Sequence, residues 1–76
     1  VIESQLRLLF ESGDLKSVTI VKVPLSEDWC LQFARKNGEL VLMDSQRISP
    51  RRFKTLDAAF AAANGLGFQK ALVAAA

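Results

Sequence analysis

The chain has no histidine and no tyrosine, and it holds one cysteine, one tryptophan and one methionine. Zinc sites of the usual Cys/His type cannot be assembled within one copy from that set. Serine–histidine and cysteine–histidine nucleophilic catalysis are excluded on the same ground. A single thiol closes no internal disulfide, so this is not a disulfide scaffold, and Cys30 fits a reducing, cytoplasmic compartment. No apolar run approaches the roughly 20 residues that span a bilayer. No basic amino-terminal region followed by an apolar stretch reads as a secretory signal. Low-complexity linkers and internal repeats are also missing.

What remains is a chain of 76 residues, half of them apolar and 24% charged. That length permits a single domain, residues 1–76. A domain this small has a thin core and gains from dimerisation. Val1 stands where an initiator methionine would, which predicts a chain processed, trimmed or cut from something longer. The closing Ala74-Ala75-Ala76 has the look of a frayed end.

Net charge is only +2, too little by itself to argue for nucleic acid. Its distribution is uneven. Residues 1–46 carry five bases against seven acids, and residues 47–76 carry five bases against the single acid Asp57. Arg47, Arg51, Arg52 and Lys54 fall within eight residues, a local basic patch on a nearly neutral protein.

Periodicity orders the elements. Ile2, Leu6, Leu9 and Phe10 share one face of a helix over 2–12, with Gly13 at its stop. That helix is too short to stand alone in water and must pack on its own sheet or on a partner. Leu8, off the stripe, favours the partner. Val18–Leu25 is β-branched and closed by Pro24, and reads as a strand. Asn37-Gly38 then predicts a two-residue type I′ hairpin between Trp29–Lys36 and Glu39–Gln46. Its register would oppose Lys36 to Glu39, Arg35 to Leu40 and Phe33 to Leu42. One face then carries Trp29, Leu31, Phe33, Leu40 and Leu42 as core. The other carries Cys30, Gln32, Ala34, Lys36, Glu39, Val41 and Met43, a mixed face open to water or a second subunit. Ile48–Lys54 connects to a helix from about Leu56 to Asn64, capped by Thr55 and striped with Leu56, Ala59, Phe60 and Ala63. Gly65 and Gly67 end it, and Phe68–Val73 forms a last strand. The expected fold is α+β: an antiparallel β-meander of three strands plus a short C-terminal strand packed on one helix, with an N-terminal helix.

The basic segment is the best candidate site. Guanidinium groups ahead of a helix N-terminus suit phosphate contact, and Phe53 either stacks on an exposed base or plugs the core beneath the helix. Arg35 and Lys36 at the hairpin tip are a second candidate, unless Lys36–Glu39 is simply a cross-strand pair. Trp29 aligns with core residues, and Cys30 has no basic or histidine neighbour to activate it. The adjacent Glu27 and Asp28 read as solvated turn residues. Gly65-Leu66-Gly67 follows a helix instead of opening one, so it is no phosphate loop.

The run Pro50-Arg51-Arg52-Phe53-Lys54-Thr55-Leu56-Asp57-Ala58-Ala59 is followed by Gly65-Leu66-Gly67-Phe68 and preceded by Trp29-Cys30-Leu31-Gln32 and Gly38. Together these resemble small partition- or replication-associated accessory proteins carried on bacterial plasmids and integrative elements, over residues 18–73. The resemblance implies a cytoplasmic, non-enzymatic accessory factor acting on DNA or a DNA-bound complex. No individual site residue carries over from it.

The leading expectation is a dimeric nucleic-acid-binding protein, with DNA as the partner and without catalytic residues, metal or cofactor. Arg47, Arg51, Arg52 and Lys54 would contact phosphates, helped by Arg35 and Lys36. The rival is a protein-interaction module that buries the sheet face of Ala34, Val41 and Met43, the bases serving only solubility. A third reading is a structural fragment of a larger chain.

Overall fold

A computed structural model describes residues 2–44 and 51–74. The elements run α1 (Glu3–Glu11), β1 (Leu15–Lys22), β2 (Trp29–Arg35), β3 (Leu40–Leu42), α2 (Leu56–Leu66) and β4 (Leu72–Ala74). The strands form one sheet in the order β3-β2-β1-β4, antiparallel except for β4, which joins β1 in parallel. This is the expected α+β class. No helix among the described residues is long and apolar enough to cross a membrane.

Alternation along β1 and β2 creates the core. Val18 opposes Phe33 and Ile20 opposes Leu31, and all four side chains are buried on the helix side. Leu15 is buried as well, although its spacing from Val18 is odd. A bulge between Leu15 and Ser17 inserts one extra residue and reverses the alternation. From the helices, Leu6, Ala59, Ala63 and Leu66 close the core. Ala59 and Ala63 carry only a methyl group, which lets α2 approach the sheet closely. Phe68 then joins the layers, its ring 4.9 Å from Phe10 and 5.7 Å from Phe33. So α1 packs within its own chain, while Leu8 stays exposed.

Several expected boundaries move. β1 begins and ends three residues earlier than Val18–Leu25. The chain turns at Pro24-Leu25, where the Ser26 N–H donates to the Val23 carbonyl at 3.2 Å. Thr55 caps α2 as expected, its Oγ1 accepting from the Ala58 N–H at 3.0 Å. Gly65 does not end that helix. Gly67 does, with φ +122. Its N–H donates to the Asn64 carbonyl at 3.0 Å and that of Phe68 to the Ala63 carbonyl at 3.2 Å. Crossed bonds of this pattern satisfy the last carbonyls of a helix. The final strand is shorter than Phe68–Val73 and starts only at Leu72.

The hairpin register is a correction with consequences. The loop has three residues, Lys36-Asn37-Gly38, closed by the Arg35 N–H on the Glu39 carbonyl at 2.8 Å. A type I′ turn needs positive φ at both central residues. Here Gly38 has it, at +92, and Asn37 does not. Asn37 Oδ1 accepts from the Glu39 N–H at 2.9 Å, and the Lys36 N–H is drawn to the Asp14 carbonyl at 2.8 Å. Phe33 therefore opposes Val41, Ala34 opposes Leu40 and Gln32 opposes Leu42. A slip of one residue exchanges the faces of a strand. Met43, 1% exposed, and Val41 join the core, while Leu40 and Leu42 turn outward at 60% and 39%.

Candidate interaction surfaces

The basic segment does not present one surface. Arg51 and Arg52 flank Phe53, whose N–H and carbonyl each bond Trp29 at 2.8 Å. Phe53 is buried, so it plugs the core and offers no ring to a base. In this extended stretch successive side chains diverge. Arg51 reaches back toward α1, with its Nη1 3.9 Å from Glu3 and its guanidinium 5.1 Å from the Phe53 ring. Arg52 lies on the opposite side of the sheet, 3.7 Å from Asp28. Lys54 is exposed just ahead of α2. Arg47 lies outside the described residues.

Arg35 sits at the far end of β2 from Trp29, about 20 Å away at the rise of a strand. Its Nε and Nη2 both donate to Asp14 Oδ2, at 2.9 and 2.5 Å, and its Nη1 donates to Glu39 at 3.2 Å. Those bonds, Asp14 first, hold the guanidinium charged even beyond its ordinary range. Glu39 is thus the partner of Arg35, not of Lys36. Lys36 and Lys54 show no ion pair among the described residues. The six basic candidates are therefore scattered, and the three described arginines among them each face a carboxylate.

The outer face of the sheet is different. Thr19, Val21, Cys30, Gln32, Ala34, Leu40 and Leu42 share it by register. Leu72, paired with Thr19, extends it across β4 and is 64% exposed. No described element covers this face, because both helices lie on the other side. It carries no aromatic side chain. Trp29 points to the helix side against the core, with the Lys22 ammonium 5.9 Å from its ring.

At one end of the face lies an open cavity of about 220 Å³, lined by Val21, Val23, Pro24, Cys30, Leu42 and Arg52 among others. Burial pushes the Cys30 thiol above its ordinary range, against a smaller opposing pull from the Arg52 charge. The thiolate is therefore suppressed and the cavity behaves as an apolar surface. Beside it projects Leu25, fully exposed and held at φ +60. The sequence signal for this outward leucine was Pro24-Leu25-Ser26, a turn tripeptide that reads instead as the end of a strand. Among the described residues no three His, Cys, Asp or Glu side chains converge on a metal position. The chain matches no family model, and comparison with curated proteins and with solved structures gave no match.

Proposed function

We propose that this chain is a protein-docking module without chemistry of its own, which engages its partner through the outer face of the sheet. The observation that carries this is the exposure of Leu40, Leu42 and Leu72 on one face that no described element covers. Burying a leucine side chain is worth about 1.5–3 kcal/mol when complete, so three on one face give a substantial gross driving force. Leu40 and Leu42 lie together on β3 and Leu72 on the opposite edge, with Gln32 and Thr19 between them in register, a mixed apolar and polar face of the kind through which proteins dock. The interaction face expected from the sequence moves accordingly, from Val41 and Met43 to Leu40 and Leu42. A lone, partly covered thiol suits the cytoplasm. Under the resemblance to plasmid accessory proteins, the natural partner is a component of a DNA-maintenance complex.

The test is a comparison of native co-purification by the wild-type chain and by the double variant Leu40→Glu, Leu42→Glu. Both positions are exposed, so circular dichroism should show the variant folded. A defined partner retained by the wild type and lost by the variant is expected. Equal retention of every partner by the two proteins sinks the reading.

One observation favours nucleic acid as a second reading. The ion pairs of Arg51 and Arg52, at 3.9 and 3.7 Å, are long, and both guanidinium groups are half-exposed. Pairs of this kind are worth at most about 1 kcal/mol and yield readily to a phosphate. With Lys54 and Lys36, two copies of the chain would then present enough cations for about six phosphates. The logarithm of affinity for duplex DNA would fall with log salt at a slope of about −5. Anisotropy of labelled single- and double-stranded DNA at two salt concentrations checks this, and a flat response removes it. Changing Arg51 and Lys54 to Glu separates the readings, since both lie away from the outer sheet face: it weakens DNA binding and leaves docking through Leu40 and Leu42 intact.

A further inference from the structure

Leu25 is the one non-glycine residue with positive φ among the described residues. A bulky side chain avoids that region, and glycine or asparagine usually fills it in a turn of this kind. Leu25 nevertheless keeps an apolar side chain there that touches little of its own chain and stands fully in solvent. Within one copy the arrangement gains nothing. Strain of this kind is retained where a side chain is aimed at something.

The surface beside it supplies the complement. The cavity lined by Val21, Val23, Cys30 and Leu42 opens on the same corner of the sheet. The turn that carries Leu25 also carries Glu27, which is exposed and has no ion pair among the described residues. The cavity is edged by Arg52, whose guanidinium is more than half exposed and loosely paired with Asp28 at 3.7 Å, while the Lys22 ammonium lies over Trp29 on the other side of the sheet. An apolar knob with a negative charge thus lies next to an apolar hole edged by one guanidinium, that of Arg52. A twofold axis pairs such a patch with itself, because each copy offers both halves.

We propose that a second copy of this chain occupies the site. The Leu25 side chain of each protomer seats in the cavity of the other, and the Glu27 carboxylate of each faces Arg52 across the axis. This rests on the docking reading and names the occupant of the cavity end of its face. A thin single-layer core explains the advantage, since dimerisation covers the open sheet face at its most apolar end.

Sedimentation velocity of the full chain from micromolar to millimolar concentration tests the proposal. The wild type is expected to form a dimer, and Leu25→Gly to weaken it at least tenfold. Glycine adopts positive φ without strain, so that variant folds at least as well as the wild type and a lost dimer is not lost structure. Glu27→Lys is expected to weaken the dimer severalfold, and the added Arg52→Glu to restore it. A wild type that stays monomeric at millimolar concentration overturns the proposal, as does a Leu25→Gly dimer of undiminished strength. A monomeric chain that still retains a different protein through Leu40 and Leu42 overturns only the second copy. Loss of both the dimer and any such partner overturns the docking reading as well.

Discussion

Replacing Gly67 by alanine adds one methyl group and is expected to cost the domain about 3 kcal/mol, from strain and overpacking together. Two effects coincide at this position. The backbone sits at φ +122, where a Cβ is not accommodated. The new Cβ would also strike the Phe10 ring at Cε2 and lie 2.6 Å from Cζ and 3.2 Å from Cδ2. The ring cannot simply withdraw, because it packs edge-on against Phe68 at 4.9 Å. Backbone strain of this kind costs about 1–3 kcal/mol. Overpacking costs about as much again, less whatever a small ring shift recovers. Domains of this length have a total stability of only about 4–11 kcal/mol, so the loss is large. In a thermal melt followed by circular dichroism it corresponds to a drop of about 12–24 °C. Gly65→Ala is the control. It lies inside α2 with nothing within 4 Å of the added Cβ, and should gain about 0.5–1 kcal/mol. The double variant Phe10→Ala, Gly67→Ala removes the clash and leaves the φ strain, so the two changes should couple by about 1–3 kcal/mol. A Gly67→Ala cost below about 1 kcal/mol, or additivity with Phe10→Ala, would falsify this account of the helix end.

Three other outcomes are expected. Thr55→Ala removes the oxygen that accepts from the Ala58 N–H at 3.0 Å, and urea titration should show a loss of about 1 kcal/mol. Phe33→Ala empties the centre of the core, where the ring is fully buried. A loss of about 3–5 kcal/mol is expected, enough to leave much of the chain unfolded at 37 °C by near-ultraviolet circular dichroism. Burial raises the pKa of the Cys30 thiol, so its rate of alkylation should reach half-maximum at a higher pH than that of a small free thiol. The sign follows from the neutral form being favoured in the folded state: this contribution to stability is present below the ordinary thiol pKa and fades as pH rises through the raised value. Alkylation as fast at neutral pH as that of a free thiol would contradict it.

The elements expected from local pattern are those whose information is local. The alternation through Val18, Ile20, Leu31 and Phe33 separates a core face from an outer face wherever the strands begin, because a strand repeats every two residues. Thr55 ahead of Leu56 and the glycine at Gly67 mark the two ends of α2 through the hydrogen bonds that a helix leaves unmade. Composition worked by exclusion: the lack of histidine closed off, within one copy, the chemistry that depends on it.

Tertiary contacts decided the rest. Asn37-Gly38 carries a strong local preference for a two-residue turn, yet the Asp14 carbonyl takes the Lys36 N–H and the loop gains a residue. With side chains alternating, that single step carried Met43 inward and Leu40 outward, and so changed which leucines the outer face shows. Arg51 and Arg52 are neighbours in the chain and part company in space because the backbone between them is extended and bonded to Trp29 through Phe53. Arg35 is a free cation by sequence and a paired one in the fold, because Asp14 is 21 residues away along the chain and in direct contact across the sheet. Local pattern determines what each segment is. Long-range hydrogen bonds, whose partners are distant in sequence, determine which face each segment shows.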